Sequence, residues 1–251
     1  MIRSAIRPLA GTRADPAPLP WVPPWVPKDL HPEVRREIRA WQEKREAQIA
    51  RLLHRIESGQ SQIRIHSSWN DPRPITTPRD PKTQKQYAED LHKQSMQYFH
   101  DLAHTEAGFK LLSDLDASRY TILIHPWEGP RNNTGWSDRD VAKAYERPDG
   151  KPSAGASARI DINASLTTFA TRGEKEQPWM TERVKYGLYH ELVHAWHGIH
   201  GTVARGDHKE QPNAEFQAVG LGPWASQPIS ENTIRQQMGK ALRPDVDRVT
   251  F

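Results

Sequence analysis

Apolar residues recur at mostly three- or four-residue intervals through Val34, Ile38, Trp41, Ile49, Leu52, Leu53 and Ile56, and Pro32 stands where a first helical position tolerates a missing N–H. This spacing predicts an amphipathic helix over roughly 32–57. Ile63 and Ile65 alternate with polar neighbours inside Gln62–Trp69, a short-strand pattern, while the proline-rich run Asp71–Pro81 reads as loop. A second helix is expected from about Lys82 to Leu102, using Tyr87, Leu91, Tyr98 and Leu102, and a shorter one over Gly108–Leu115. Period two returns in Arg119–His125, with Tyr120, Ile122 and Ile124 on one face, before the turn-rich stretch Pro126–Gly135. It returns again in Ala158–Asn163, where Ile160 and Ile162 oppose Arg159, Asp161 and Asn163. Thr181–Trp196 is helical by pattern, with Gly198 placed to end it, and Asn213–Gly220 and Ser230–Lys240 read as two closing helices. Few strands among many helices make this an α+β domain.

Composition divides the chain into a leader and one domain. Met1–Lys28 holds seven prolines and a small duplication, Trp21-Val22-Pro23 then Trp25-Val26-Pro27, which favours extended or polyproline conformations and cannot bury a core. Residues 1–29 are therefore expected to be a disordered leader, with the Trp/Pro repeat as a candidate docking motif, and residues 30–251 the domain. The start lacks the apolar stretch and small-residue cleavage site of a classical signal peptide. No segment approaches the ~20 apolar residues that span a bilayer, so no membrane partner is expected. Hydrophobic residues make up 35% of the chain and mean hydropathy is -0.83, so the core is modest. The net charge of +4 is spread among 31 acidic residues with no dense basic stripe, which argues against nucleic acid as a partner. There is no cysteine, so disulfides are excluded and any metal must be held by His, Asp or Glu.

That restriction gives weight to His190-Glu191-Leu192-Val193-His194, an H-E-x-x-H run inside the predicted 181–196 helix. Residues four apart share a helix face, so two imidazoles can grip one zinc ion while Glu191 stands beside it as a general base. Leu188, Leu192, Val193 and Trp196 surround the pair, which makes two solvated surface histidines a poor alternative. A catalytic zinc needs a third protein ligand and an open position for water. His200 stands at the last position of H-E-x-x-H-x-x-G-x-x-H, but His197 occupies the glycine position and Gly198 comes one place late. Glu215 follows His194 by 21 residues in Asn213–Gly220, whose apolar Ala214, Phe216, Ala218 and Val219 mark a buried helix where an unpaired carboxylate would be costly. Glu215 is preferred over His200, and Asp207 ranks third.

Four blocks together resemble the NleD-like zinc metallopeptidases, type III secretion effectors of Gram-negative pathogens: Gly108–Leu112, Tyr189–Ala195, Glu215–Gly220 and Ile229–Asn232. The likeness is strongest over 104–251, with nothing before about residue 100 contributing. It implies a small zincin-like domain with a short sheet and an active-site helix, a secreted zinc endopeptidase acting in the host cell, His190, His194 and Glu215 as ligands, and Glu191 as base. As partners it implies a host protein substrate, in enteric members a stress-activated MAP kinase cut in its activation loop, and a secretion chaperone.

One departure bears on catalysis. Such enzymes are expected to carry an Arg followed closely by a Tyr near the C-terminus, as electrophilic help for the tetrahedral intermediate. Arg243 is present, but Pro244, Asp245 and Val246 follow it and no tyrosine occurs after Tyr189. Arg243 then acts alone, or His200, His208 or Tyr145 contributes, or the protein is a zinc-binding module that does not cleave. Ala158–Asn163, just upstream of the motif helix, is the candidate edge strand for an extended substrate.

Overall fold

Three of four short strands carry five isoleucines, Ile63, Ile122, Ile124, Ile160 and Ile162, that are all fully buried on one face of a sheet. A computed structural model describes residues 31–66, 81–170, 173–208 and 211–246. The expected leader, the end of the first strand beyond His66 and most of the proline-rich loop before Pro81 lie outside the described residues. The sheet runs in the order β1 (Ile63–Ile65), β2 (Ile122–Pro126), β4 (Ala158–Ile162), β3 (Asn133–Gly135). The first three strands are parallel, with Ile63 opposite Ile122 and Ile124 opposite Ile160. β3 pairs antiparallel to β4. Parallel neighbours need a crossover, and the one between β1 and β2 is made by α2 (Pro81–Ala103) and α3 (Glu106–Ala117).

β3 is the strand that hydrophobic patterning misses. Asn133-Thr134-Gly135 has no apolar residue, and only its pairing with β4 holds it extended. Its presence also corrects the expectation that Ala158–Asn163 forms an edge: β4 lies between β2 and β3, and β3 is the edge on that side of the sheet.

The isoleucine face is covered by one core cluster that joins the sheet to α1 (Pro32–Glu57), α2, α3 and α5 (Arg183–His200). Only the C-terminal half of α1 enters it, through Ile49, Leu52 and Ile56, whereas Val34 and Trp41 remain exposed. The apolar stripe of that helix therefore runs further than the surface available to cover it among the described residues.

α5 is enclosed on nearly all sides, its polar His190, Glu191, His194 and His197 included. Polar ties fix it to its neighbours: Lys185 Nζ lies 2.6 Å from Asp101 of α2, Tyr189 donates to the Tyr98 carbonyl at 2.8 Å, and Trp196 Nε1 donates to Asp114 of α3 at 2.9 Å. Gly198 was expected to end this helix. It does not, because its bare Cα is used for packing: a Cβ there would stand 2.5 Å from Trp136 Nε1. The helix continues to His200 and ends at Gly201, whose φ of 64° is left-handed and suits glycine. α4 (Val141–Ala144), the ribbon β5 (Asp207–His208) with β6 (Gln211–Pro212), α6 (Asn213–Val219) and α7 (Glu231–Gln237) complete the described chain. These elements establish the α+β class.

His197 is buried in this core, with Nδ1 3.0 Å from the Thr202 hydroxyl. Burial, aided by His194 and His200, pushes its pKa down to about 3. The folded protein thus keeps the ring neutral where the unfolded chain, at about 6.5, would protonate it. This contribution to stability is complete above about pH 6.5 and is lost as pH falls toward 3. His197→Gln should flatten the loss of stability between pH 6.5 and 4.5 in denaturant titrations. Leu112→Ala, in the core of α3, should lower unfolding free energy by about 2–5 kcal/mol, while Trp41→Ala should change it by less than ~0.5 kcal/mol.

Candidate metal centre

One turn of α5 separates His190 from His194, and the helix turns both inward, leaving them 2% and 7% exposed. Their Nε2 atoms lie 3.0 Å apart. Glu215, in the first turn of α6, brings Oε2 to 3.1 Å from His190 Nε2 and Oε1 to 3.4 Å from His194 Nε2. One donor atom from each of the three residues lies within 4.8 Å of the other two, a group that could hold a metal ion. Ligand bonds of about 2.1 Å at tetrahedral angles set neighbouring donor atoms about 3.4 Å apart, so the triangle has the size for one zinc ion.

The electrostatics of the group agree with a cation. Burial works against a charged His190, yet its hydrogen bonds to Glu215 and Glu231 prevail and push its pKa up to about 10. The carboxylates thus draw positive charge onto this spot, and a divalent ion would supply the charge that a ring proton otherwise brings. Burial likewise opposes ionisation of Glu215, but His194 and His190 hold its carboxyl well below the ordinary range.

Glu191 sits on the same helix, 4% exposed. Burial raises its pKa, and the two histidines with the Thr134 hydroxyl offset that only in part. Thr134 is the central residue of β3, and its hydroxyl lies 2.7 Å from Glu191 Oε2 and 3.0 Å from the Glu191 carbonyl. The edge strand and the carboxylate are therefore held together directly.

Behind His190 stands Glu231, fully buried at the start of α7. Its Oε2 lies 3.1 Å from His190 Nδ1. A carboxylate only accepts, so it fixes a proton on Nδ1 and leaves Nε2, which faces Glu215 and His194, as the nitrogen that a metal would take. Arg235 Nε donates to Glu231 Oε1 at 2.7 Å, and Arg243 Nη1 to Oε2 at 3.3 Å. Burial would raise Glu231, but Arg243, His190 and Arg235 hold it far below the usual carboxylate range. Asn232 clamps the Arg243 main chain, accepting from its N–H at 2.8 Å and donating to its carbonyl at 2.9 Å.

The other residues singled out from the sequence fall into two sets. His200 is exposed and turned to the Trp196 carbonyl, 2.7 Å from Nδ1. Six residues along an unbroken helix rotate it about 240° from His194, so it cannot join the group that a glycine break would have let it reach. Asp207 and His208 lie on the exposed ribbon, with the His208 ring against Phe216. Tyr145 is half-buried against Trp136, its phenol raised first by burial and then by the charge of Glu215. Arg243 is 1% exposed and lines a small pocket with His190, Glu191, Gly187, Asn132, Phe169 and Arg183. Its Nη2 has no hydrogen-bond partner among the described residues.

Pattern reading missed Thr134, Arg183 and Glu231 as site residues. Glu231 falls in the block Ile229–Asn232 that carries the resemblance, but locally it follows Ser230, which caps α7 by accepting from Thr233 N, and an acid there reads as a complement to the helix dipole. Glu231→Gln should weaken zinc binding about 10–100-fold in competition with a chelator. Glu231→Ala, which strands two buried arginines, should cost about 3–5 kcal/mol in unfolding free energy.

Comparison with known proteins agrees with this geometry. No curated protein matches the chain. Residues 79–245 match the peptidase M91 family, described as effector proteins. The match starts upstream of the blocks that carry the resemblance and takes in all of α2. Spanning about two thirds of the sequence and every side chain of the His190 centre, it places the chain in the NleD-like peptidase M91 family of effectors.

Proposed function

We propose that this protein is a zinc-dependent endopeptidase delivered by a type III secretion system into the host cytoplasm, where it cleaves a host protein. The observation that carries the reading is the convergence of His190, His194 and Glu215 with Glu191 buried beside them. Membership of a peptidase effector family supports both the class of activity and delivery. No helix among the described residues is long and apolar enough to cross a membrane.

His190, His194 and Glu215 would hold the zinc ion, which would supply Lewis acidity for the scissile carbonyl and the attacking water. Glu191 takes the proton from the attacking water and passes it to the leaving amine nitrogen, work suited to a carboxylate whose pKa is raised by burial. The substrate is laid along the free edge of β3 as an added strand, main chain to main chain. Because Thr134 ties β3 to Glu191, a peptide registered on that edge is registered on the base as well. Arg243 contributes twice: Nη1 steadies Glu231 behind His190, and the unpartnered Nη2 is the donor for negative charge on the tetrahedral oxygen. Tyr145, on the Glu215 flank, is the phenol available to assist it. The stress-activated MAP kinases cut by enteric members of the family are the first substrates to try.

Glu191→Gln should retain zinc, measured by elemental analysis, and lose peptidase activity on host extracts by at least ~100-fold. Full activity in that variant would remove Glu191 as base. Glu215→Ala should lose the metal and His200→Ala should keep it. The opposite pattern would assign the third ligand to His200.

A further inference from the structure

Arg183 opens α5, and with Gly187 and Glu191 it occupies successive turns of one stripe on that helix. It lines the same pocket as His190, Glu191 and Arg243. Its guanidinium donates to two main-chain carbonyls, Thr168 O at 3.2 Å and Pro130 O at 3.4 Å, and lies 5.5 Å from the centre of the Phe169 ring. No carboxylate pairs with it among the described residues. The acids nearby are already engaged: Glu231 serves Arg235, Arg243 and His190, Glu215 faces the two histidines, and Glu191 is held by Thr134.

A half-buried arginine with only carbonyl partners, next to a second arginine, leaves positive charge unanswered. Burial and the Arg243 charge both push the Arg183 pKa down, which is the signature of that imbalance. The bare Cα of Gly187 lets the loop bearing Asn132 close over the helix here, since a Cβ would stand 2.3 Å from Asn132 Nδ2. His190 and Glu191 line the pocket at one end, and at the Arg183 end it is walled by a planar cation, an amide and an aromatic ring, a set that suits a planar anion.

We infer that Arg183, with Phe169 and Asn132, forms a specificity subsite that takes an acidic side chain of the substrate. Eight residues of helix separate Arg183 from Glu191, about 12 Å along the axis, which corresponds to about three or four residues of extended peptide. The acidic residue lies within that distance of the scissile bond. This assignment rests on the peptidase reading for its location but not for its charge.

The test uses the full chain with zinc and peptides acetylated and amidated at their ends, in which Glu, Gln, Lys or phosphoserine is placed in turn at each position. Cleavage is measured with the wild type and binding by fluorescence anisotropy with Glu191→Gln. Glu should be preferred over Gln about tenfold at one position in both assays. Adding Arg183→Gln should bring the ratio close to one, Arg183→Lys should retain part of it, and Arg183→Glu should shift preference to Lys. Preference for phosphoserine over Glu would assign the anion as a phosphate ester, which the same subsite serves. The inference is overturned if Arg183→Gln, melting at the wild-type temperature, keeps the preference, or if the wild type shows no preference between Glu and Gln at any position. Charge-selective binding without cleavage by the wild type would keep the subsite and remove the peptidase reading. Cleavage without charge selection would do the reverse.

Discussion

The His190 ring between two carboxylates is the contact on which the rest of the site depends. Glu215 approaches Nε2 from α6 and Glu231 approaches Nδ1 from α7, so one imidazole links three helices. Two buried acids beside one ring would be untenable unless each were neutralised. Arg235 and Arg243 answer Glu231 on its far side. Glu215 is answered by the two histidines, with which it forms a group that could hold a metal ion. The short C-terminal helix and the segment after it therefore help to build the candidate centre by holding His190 from behind.

The same logic explains why the surrounding helix is so thoroughly enclosed. α5 carries His190, Glu191, His194 and His197 through the middle of the core, and each polar group must meet a partner there. Thr134 meets Glu191, Thr202 meets His197, and Tyr189 reaches the Tyr98 carbonyl. Glycines at 187 and 198 let Asn132 and Trp136 close against the helix without a Cβ in the way. Rigid packing of this kind holds ligands within the narrow tolerance a metal demands.

An asymmetry of charge follows. Three arginines, Arg183, Arg235 and Arg243, stand around the centre, and among the described residues the carboxylate that pairs with any of them is Glu231. Two of the three are satisfied by it. The third, Arg183, lines the pocket of His190, Glu191 and Arg243 with no carboxylate partner among the described residues.

Local pattern was enough to determine the helices α1, α2, α3, α5, α6 and α7, the strands β1, β2 and β4, the α+β class and the His190–Glu191–His194 core of the candidate centre. Each depends on a period of two or near 3.6, or on a four-residue spacing, and such intervals are written directly in the chain. Glu215 was also legible, because a lone acid in the apolar run Ala214–Val219 needs a partner. Tertiary structure alone decided the rest. β3 has no hydrophobic signature and exists through its pairing, which moved the free edge from β4 to Asn133–Gly135. Gly198 reads as a helix end, yet Trp136 packs on it, so α5 runs on and carries His200 out of reach. Glu231 becomes a partner of His190 only when α7 folds back over α5, across 41 residues of sequence. Contacts of that kind depend on which surfaces meet in space, and no interval along the chain encodes them.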